Sequence, residues 1–170
     1  MDLKRYIADV PDFPKKGILF KDITPLLKDP AAFRYAIEEF AKAYEDEKID
    51  VVVAIEARGF FFGAPLAYRM GVPRVPIRKP AKLPRAAVGV EYALEYGTDA
   101  VEMHQDGVQK GQRVLLIDDL LATGGTAAAA IELVEKVGAT IGGVAFLVEL
   151  EALNGRSKFQ GYPVTSLIKY

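Results

Sequence analysis

Along this chain, apolar runs on consecutive positions alternate with segments where apolar residues recur every three or four. Val51-Val52-Val53-Ala54-Ile55, Val114-Leu115-Leu116-Ile117 and Ile141 to Leu150 belong to the first kind, the pattern of strands buried on both faces of a parallel sheet. Phe33, Ile37, Phe40 and Tyr44 belong to the second, with Glu38, Glu39 and Lys42 between them. They predict a core-facing helix for which Asp29 is a suitable N-cap and Pro30 a suitable first residue. Phe60 to Tyr68 predicts another helix despite Pro65. Ala127 to Ala130 with Ile131, Val134 and Val137 predicts a third, with Thr123 or Thr126 available as N-cap and Gly138 as C-cap. Val72 to Ile77 predicts a strand interrupted by Pro73 and Pro76, and Val164 to Ile168 a last short one. Strands near 51–56, 72–77, 114–118 and 141–149, with helices between most of them, predict an α/β fold: a doubly wound, mostly parallel sheet flanked by helices.

Two stretches lack a sustained period. Residues 1–28 hold three prolines and the apolar patch Ile18-Leu19-Phe20, and read as a short helix near Leu3–Ala8 followed by an irregular segment. Residues 84–97 have no clean period. Glu91 to Gly97 reads as a mobile hairpin, with a strand over Thr98–Met103 and a turn over Gly107–Gly111 after it. Asn154-Gly155 breaks the pattern near the end of the chain.

Composition narrows the chemistry. At 170 residues a single domain, 1–170, is the expectation, large enough to bury a core. The absence of cysteine excludes disulfides, thiol nucleophiles and thiolate metal sites, and a single histidine, His104, excludes a multi-histidine metal centre. A formal net charge of −1 gives no reason to expect nucleic-acid binding. No apolar run approaches the ~18–20 residues of a membrane span, and Met1 to Tyr6 has no apolar signal core. A cytoplasmic protein with no nucleic-acid and no membrane partner is therefore expected.

The stretch Val114 to Thr126 carries the most chemistry. Its buried strand leads to Asp118 and Asp119, which places two carboxylates on the rim where open α/β sheets bind ligands. Leu120, Leu121 and Ala122 follow, then Thr123-Gly124-Gly125-Thr126 at the start of the alanine-rich helix. A glycine pair at a helix N-terminus frees several N–H groups for one anion, phosphate above all. Bare carboxylates repel a phosphate, so the acids fit a ligand that also carries a vicinal diol, such as a sugar phosphate with a divalent metal nearby. Each short motif alone is more often a plain turn; the ordered string of strand, acids, glycine loop and helix favours a binding site. Arg58, beside Gly59 just past the first strand, and the basic run Arg78, Lys79, Lys82 and Arg85 past the second would open onto the same rim.

The string Ile117-Asp118-Asp119-Leu120-Leu121-Ala122-Thr123-Gly124-Gly125-Thr126 resembles the phosphoribosyl-diphosphate signature of the type I phosphoribosyltransferases, in the wording of their adenine branch. Phe13 to Leu27 is similar to the hood that covers the base in that branch, with Lys16 where proline is commoner. Leu94-Glu95-Tyr96-Gly97 is similar to its flexible catalytic loop, here 79–97. The resemblance implies a type I phosphoribosyltransferase-like fold with a small N-terminal hood from about residues 1–28. It also implies the reaction of adenine with 5-phosphoribosyl 1-diphosphate to AMP and pyrophosphate, with Mg²⁺ as cofactor and a homodimer as the assembly. Carried over residue by residue, Asp118, Asp119, Ala122, Thr123, Gly124, Gly125 and Thr126 hold the ribose and 5-phosphate. Ala57, Arg58, Gly59, Arg78, Lys79 and Lys82 hold pyrophosphate, the first of these loops often containing a non-proline cis peptide. Ala81 stands where glycine is commoner. Leu19, Phe20, Lys21 and Leu150 bind adenine, Phe20 by stacking and Leu19 and Lys21 through backbone groups, which would leave the Lys21 side chain largely free. Glu95, Tyr96 and Arg58 are the catalytic set, with Glu95 as proton donor to the base. No protein residues are assigned to the metal, which would sit mainly on ligand oxygens and water. Two other readings compete: a different purine (hypoxanthine, guanine or xanthine), and a non-catalytic sensor of the same fold that regulates transcription. The adenine-type hood and loop disfavour the first, and an α/β pattern that starts too early for a DNA-binding module disfavours the second.

Overall fold

Five parallel strands carry the fold, and their order sets where a ligand can go. The computed structural model describes residues 1–94 and 97–170. In chain order the elements are β1 (Ala8–Pro11), β2 (Leu19–Asp22), α1 (Thr24–Lys28), α2 (Pro30–Ala43), β3 (Val51–Ile55), α3 (Gly59–Met70), β4 (Arg74–Ile77), β5 (Ala87–Ala93), β6 (Thr98–His104), β7 (Arg113–Leu121), α4 (Gly125–Lys136), β8 (Thr140–Glu149) and β9 (Val164–Lys169). Short 3₁₀ turns occupy Leu3–Tyr6, Glu151–Leu153 and Gly155–Phe159.

The main sheet runs β4-β3-β7-β8-β9, with every pair parallel. Alternation along β3 and β7 explains why consecutive apolar residues are needed. Val51, Val53, Val114 and Leu116 point into a core beneath α4 and the β5–β6 hairpin. Val52, Ala54, Leu115 and Ile117 point into a second core against α2 and α3, around the fully buried Phe40, Phe62 and Leu66. The sheet is therefore covered on both faces, as the doubly wound expectation requires. From β3 the chain moves outward to β4, and it returns on the other side of β3 as β7. The strand order reverses between β3 and β7, so the crevice beyond their carboxyl ends is the topological switch point.

The Asp29 cap is as predicted, its carboxylate accepting from the N–H groups of Ala31 and Ala32 at 2.9 and 2.8 Å. Other local expectations are corrected. The segment read as irregular forms an antiparallel hairpin, β1 with β2, followed by the short helix α1. Glu91 to Gly97 is not itself the hairpin: its arms are the seven-residue strands β5 and β6, paired from Ala87 with His104 to Ala93 with Thr98. Strand β7 does not stop before the acids but continues through them to Leu121, because β8 pairs with it as far as Leu121 with Glu149. Neither Thr123 nor Thr126 caps α4. The N-cap is Gly124, at φ +82° and without a side-chain bond.

Candidate active site

Three loops converge at the switch point. The loop after β7 is the anion cradle. Ala122 to Thr126 line a pocket of about 90 Å³ with Asp118, Leu120, Leu121, Ala127 and Phe146. Two glycines hold this loop in place. A Cβ at Gly124 would lie 2.2 Å from the carbonyl oxygen of Gly155, and one at Gly155 would lie 2.3 Å from that of Ala122. The phosphate-loop candidate therefore rests backbone against backbone on Asn154-Gly155, which the sequence showed only as a break. Gly124 also needs its left-handed φ, so it is constrained twice over.

The acids sit in different environments. Asp119 is buried, with Arg58 Nε 2.9 Å from its Oδ2, although the guanidinium N–H is not aligned for a hydrogen bond. Burial raises its carboxyl above the ordinary range and Arg58 offsets part of that. Asp118 accepts from the N–H of Asp119 at 2.8 Å. Burial, and then the neighbouring Asp119 charge, push its carboxyl well up. A Cβ at Gly59 would meet Asp118 Oδ1 at 3.0 Å, so the start of α3 is pressed against this acid. No basic residue adjoins these carboxylates along the chain; the fold supplies Arg58.

Arg58 also reaches the hood, its guanidinium carbon 5.2 Å from the centroid of Phe20, whose other neighbour is Phe13 with ring centroids 5.0 Å apart. Arg58 thus lies between the base-stacking candidate and the ribose acid. In the β1–β2 pair Leu19 faces Pro11, which has no N–H to donate. The phenylalanine carbonyl and N–H are thereby the ones turned toward β1, and alternation leaves the backbone groups of Leu19 and Lys21 on the open edge. The side chain of Lys21 is not free. It is only 9% exposed, bonds Asp9 at 2.6 Å and lies 3.7 Å above the Tyr170 ring. Leu150, just past β8, is half-buried among the apolar residues of the α2–α3 face, its N–H bonded to Leu121.

The loops after β3 and β4 form one unit around Glu56, which sequence reasoning missed. Its carboxylate takes Arg78 by two bonds, 3.1 and 3.2 Å, and the N–H of Lys79 at 2.9 Å. The Lys79 N–H, then Arg78, hold Glu56 below its ordinary range against the effect of burial. The Glu56–Ala57 peptide is cis, as the resemblance implied. Arg78 further bonds the Lys82 carbonyl at 3.1 Å. Ala81 sits at φ +62°, a region glycine enters without strain. The ammonium of Lys79 is turned to the β5–β6 hairpin, where it pairs with Asp99 and bonds the Tyr92 hydroxyl at 3.2 Å. Tyr92 in turn lies 3.0 Å from both Asp99 Oδ2 and the Thr126 hydroxyl. Glu56 had a legible signal, an acid at a strand end beside Arg58. Tyr92 and Asp99 had none, because only the hairpin register brings them to the cradle.

The residues of this site lie within the match of the phosphoribosyl transferase domain family, which covers residues 23–168, except for the hood. Over 169 residues, 99% of this chain and 98% of the relative, it is 59% identical to the adenine phosphoribosyltransferase of Thermoanaerobacter sp. strain X514. The chain belongs to the adenine phosphoribosyltransferases. Among solved structures of that family it resembles the enzyme of Thermoanaerobacter pseudethanolicus with TM-score 0.97 and 58% identity, covering 99% of this chain and 98% of that one. It resembles the Saccharomyces cerevisiae enzyme, solved with an imino-altritol bisphosphate and adenine, with TM-score 0.93 and 42% identity, covering 98% and 96%. Most of the hood precedes the domain match, but these relatives extend across it. Two family candidates, Glu95 and Tyr96, lie outside the described residues. A larger groove of about 510 Å³ between α2 and α3, lined by Glu38, Lys42, Arg69 and Met70, lies away from these loops.

Proposed function

We propose that this chain transfers the phosphoribosyl group of 5-phosphoribosyl 1-diphosphate to adenine, giving AMP and pyrophosphate, as a pentosyltransferase of purine salvage. The observation that carries the reading is the convergence, at one switch point, of a glycine anion cradle, two carboxylates and an arginine that touches both acid and hood. The adenine bound in the yeast relative supports the choice of base.

The mechanism follows from what each part can do. The N–H groups of Ala122 to Thr126 anchor the 5-phosphate, and Asp118 and Asp119 accept from the ribose hydroxyls. Adenine lies against Phe20, between it and Leu150, and meets the open-edge backbone of Leu19 and Lys21. Attack by adenine N9 on the anomeric carbon forms the C–N bond as the C–O bond to pyrophosphate breaks. The sugar becomes cationic on the way, which the nearby carboxylates favour. The leaving pyrophosphate meets Arg58, Arg78, Lys79, Lys82 and the backbone of Ala57 and Gly59. Adenine must also lose its N9 proton. Glu95 serves as proton donor to N7 as the N9 proton leaves to solvent, so that no anionic purine builds up. Once the C–N bond has formed the N7 proton returns to the Glu95 carboxylate, with Tyr96 as the adjoining catalytic residue in sequence.

Magnesium fits this site as a companion of the ligand. Carboxylate oxygens are the hard donors it prefers, and Asp119 Oδ2 accepts no aligned hydrogen bond. Among the described residues no cluster of three or more candidate ligands occurs, so Asp118 and Asp119 would contribute alongside diphosphate oxygens and water. When bound, the ion supplies positive charge to the departing diphosphate. One phosphoribosyltransferase domain over 1–170, with residues 1–28 as hood and 79–97 as catalytic loop, working as a cytoplasmic homodimer, completes the reading. Light scattering on the purified protein tests the assembly. Initial rates with adenine, hypoxanthine, guanine and xanthine test the function. Turnover of adenine well above the rest is expected, and preference for another base, or no turnover of any, would overturn it.

A further inference from the structure

Between the two ends of the proposed substrate site runs a continuous chain of polar contacts: Thr126, Tyr92, Asp99 and Lys79. Thr126 opens α4 at the 5-phosphate cradle, and Lys79 belongs to the pyrophosphate loop after β4. The two residues between them stand on facing positions of the β5–β6 hairpin, Tyr92 paired in register with Asp99. Neither is a signature residue.

The direction of each hydrogen bond can be worked out. A carboxylate only accepts, so the single Tyr92 proton goes to Asp99 Oδ2 at 3.0 Å. The 3.0 Å contact between the Tyr92 and Thr126 hydroxyls must then use the Thr126 proton, and Lys79 donates to the same tyrosine oxygen at 3.2 Å. In this arrangement Thr126 has no proton to offer a phosphate. The Lys79 ammonium is likewise directed at Asp99. The Lys79 bond, then the Ala100 N–H and the Tyr92 hydroxyl, hold the Asp99 carboxyl low against burial, consistent with an anion that grips the lysine.

A phosphate in the cradle changes the polarity of the chain. To donate to it, the Thr126 hydroxyl must turn away from Tyr92, and its oxygen becomes an acceptor. The Tyr92 hydroxyl then has the Thr126 oxygen as a second acceptor, and as its O–H turns there Asp99 loses one of the donors that fix it beside Lys79. We propose that Tyr92 and Asp99 are positioning residues that couple the two ends of the site, so that phosphate at Thr126 loosens Lys79 for the diphosphate. This rests on the function proposed above. It makes the phosphoribosyl end the one whose occupation readies the other, and by reciprocity pyrophosphate binding readies the cradle by the same factor.

Isothermal titration with ribose 5-phosphate and pyrophosphate tests it, because this pair occupies both ends without a base to transfer. At constant magnesium, saturating ribose 5-phosphate should tighten pyrophosphate binding to the wild type by about 5-fold or more. In Tyr92→Phe each ligand should still bind, but the factor should fall to about one, since the relay has lost its hydroxyl. In Asp99→Asn pyrophosphate alone should bind more tightly than to the wild type, with ribose 5-phosphate adding little, a gain that general damage to the hairpin would not produce. An undiminished factor in Tyr92→Phe, or no tightening in Asp99→Asn, overturns the coupling. A wild type that binds neither ligand would overturn the proposed function itself, and the coupling with it.

Discussion

Replacing Gly155 by alanine should cripple the phosphate cradle from outside the signature. Gly155 does not adopt a positive φ, so alanine brings no backbone strain and the effect is one of contact alone. Its Cβ would lie 2.3 Å from the Ala122 carbonyl oxygen and 2.8 Å from Leu121 Cδ1, where ordinary contact begins at 3.4 Å. The leucine can turn aside, but the carbonyl belongs to the loop itself and must retreat by about 1 Å, the kind of misplacement that costs ~10²-fold in rate. Overpacking of this kind also costs about 1–3 kcal/mol of stability, little enough for the variant to remain folded. The expected result is a loss of ~10²-fold in kcat/KM for phosphoribosyl diphosphate and a weakened Kd for ribose 5-phosphate, with thermal unfolding still cooperative. A folded Gly155→Ala protein that binds ribose 5-phosphate like the wild type would refute the buttress.

Asp118→Asn should weaken phosphoribosyl diphosphate and AMP in calorimetric titration yet raise the melting temperature near pH 7. The folded state raises the Asp118 pKa, so its stability falls as pH rises above ~3.9, and asparagine removes that loss while the gain vanishes in acid. A variant no more stable than wild type at neutral pH, or with full affinity, would contradict this. Lys21→Ala should loosen the hood by about 1–2 kcal/mol, read by hydrogen exchange over β1–β2, and leave adenine preference intact; a switch of base would show that the side chain, not the backbone, reads the purine. Glu95→Leu should lower kcat by ~10²–10⁴-fold with little change in phosphoribosyl diphosphate affinity, and near wild-type turnover would remove Glu95 from the mechanism.

The parallel core was legible because burial on both faces writes itself as consecutive apolar residues, as in Val51 to Ile55. The cradle was legible because its glycines and acids are contiguous. The β1–β2 hairpin was not, since its strands of four residues, one ending at Pro11, bury none of them fully and are too short to display a period. The extension of β7 through Asp118 and Asp119 was hidden for a different reason: pairing with β8 carries the strand past where apolar content stops. The partners of Lys21, Arg58 and Lys79 are Asp9 and Tyr170, Asp119, and Asp99. They lie 12 to 149 positions away along the chain, and only the fold brings them together.

The prolines of β4 bear on how molecules of this protein meet one another. Val52 and Glu56 of the β3 side donate to Pro73 and Ile77, so positions 73, 75 and 77 face the sheet and 74, 76 and 78 face outward. Pro76 therefore sacrifices no ladder bond; its missing donor falls on the free margin. At the next outward position, Arg78 exchanges both backbone bonds with Glu102 of β6. Only Arg74, charged and exposed, retains an outward N–H. A sixth strand offered by another molecule, at the high concentrations of a crowded cell or during refolding, would find one free N–H donor where a regular border presents three. Such a border resists edge-to-edge aggregation without any cost to the sheet it closes.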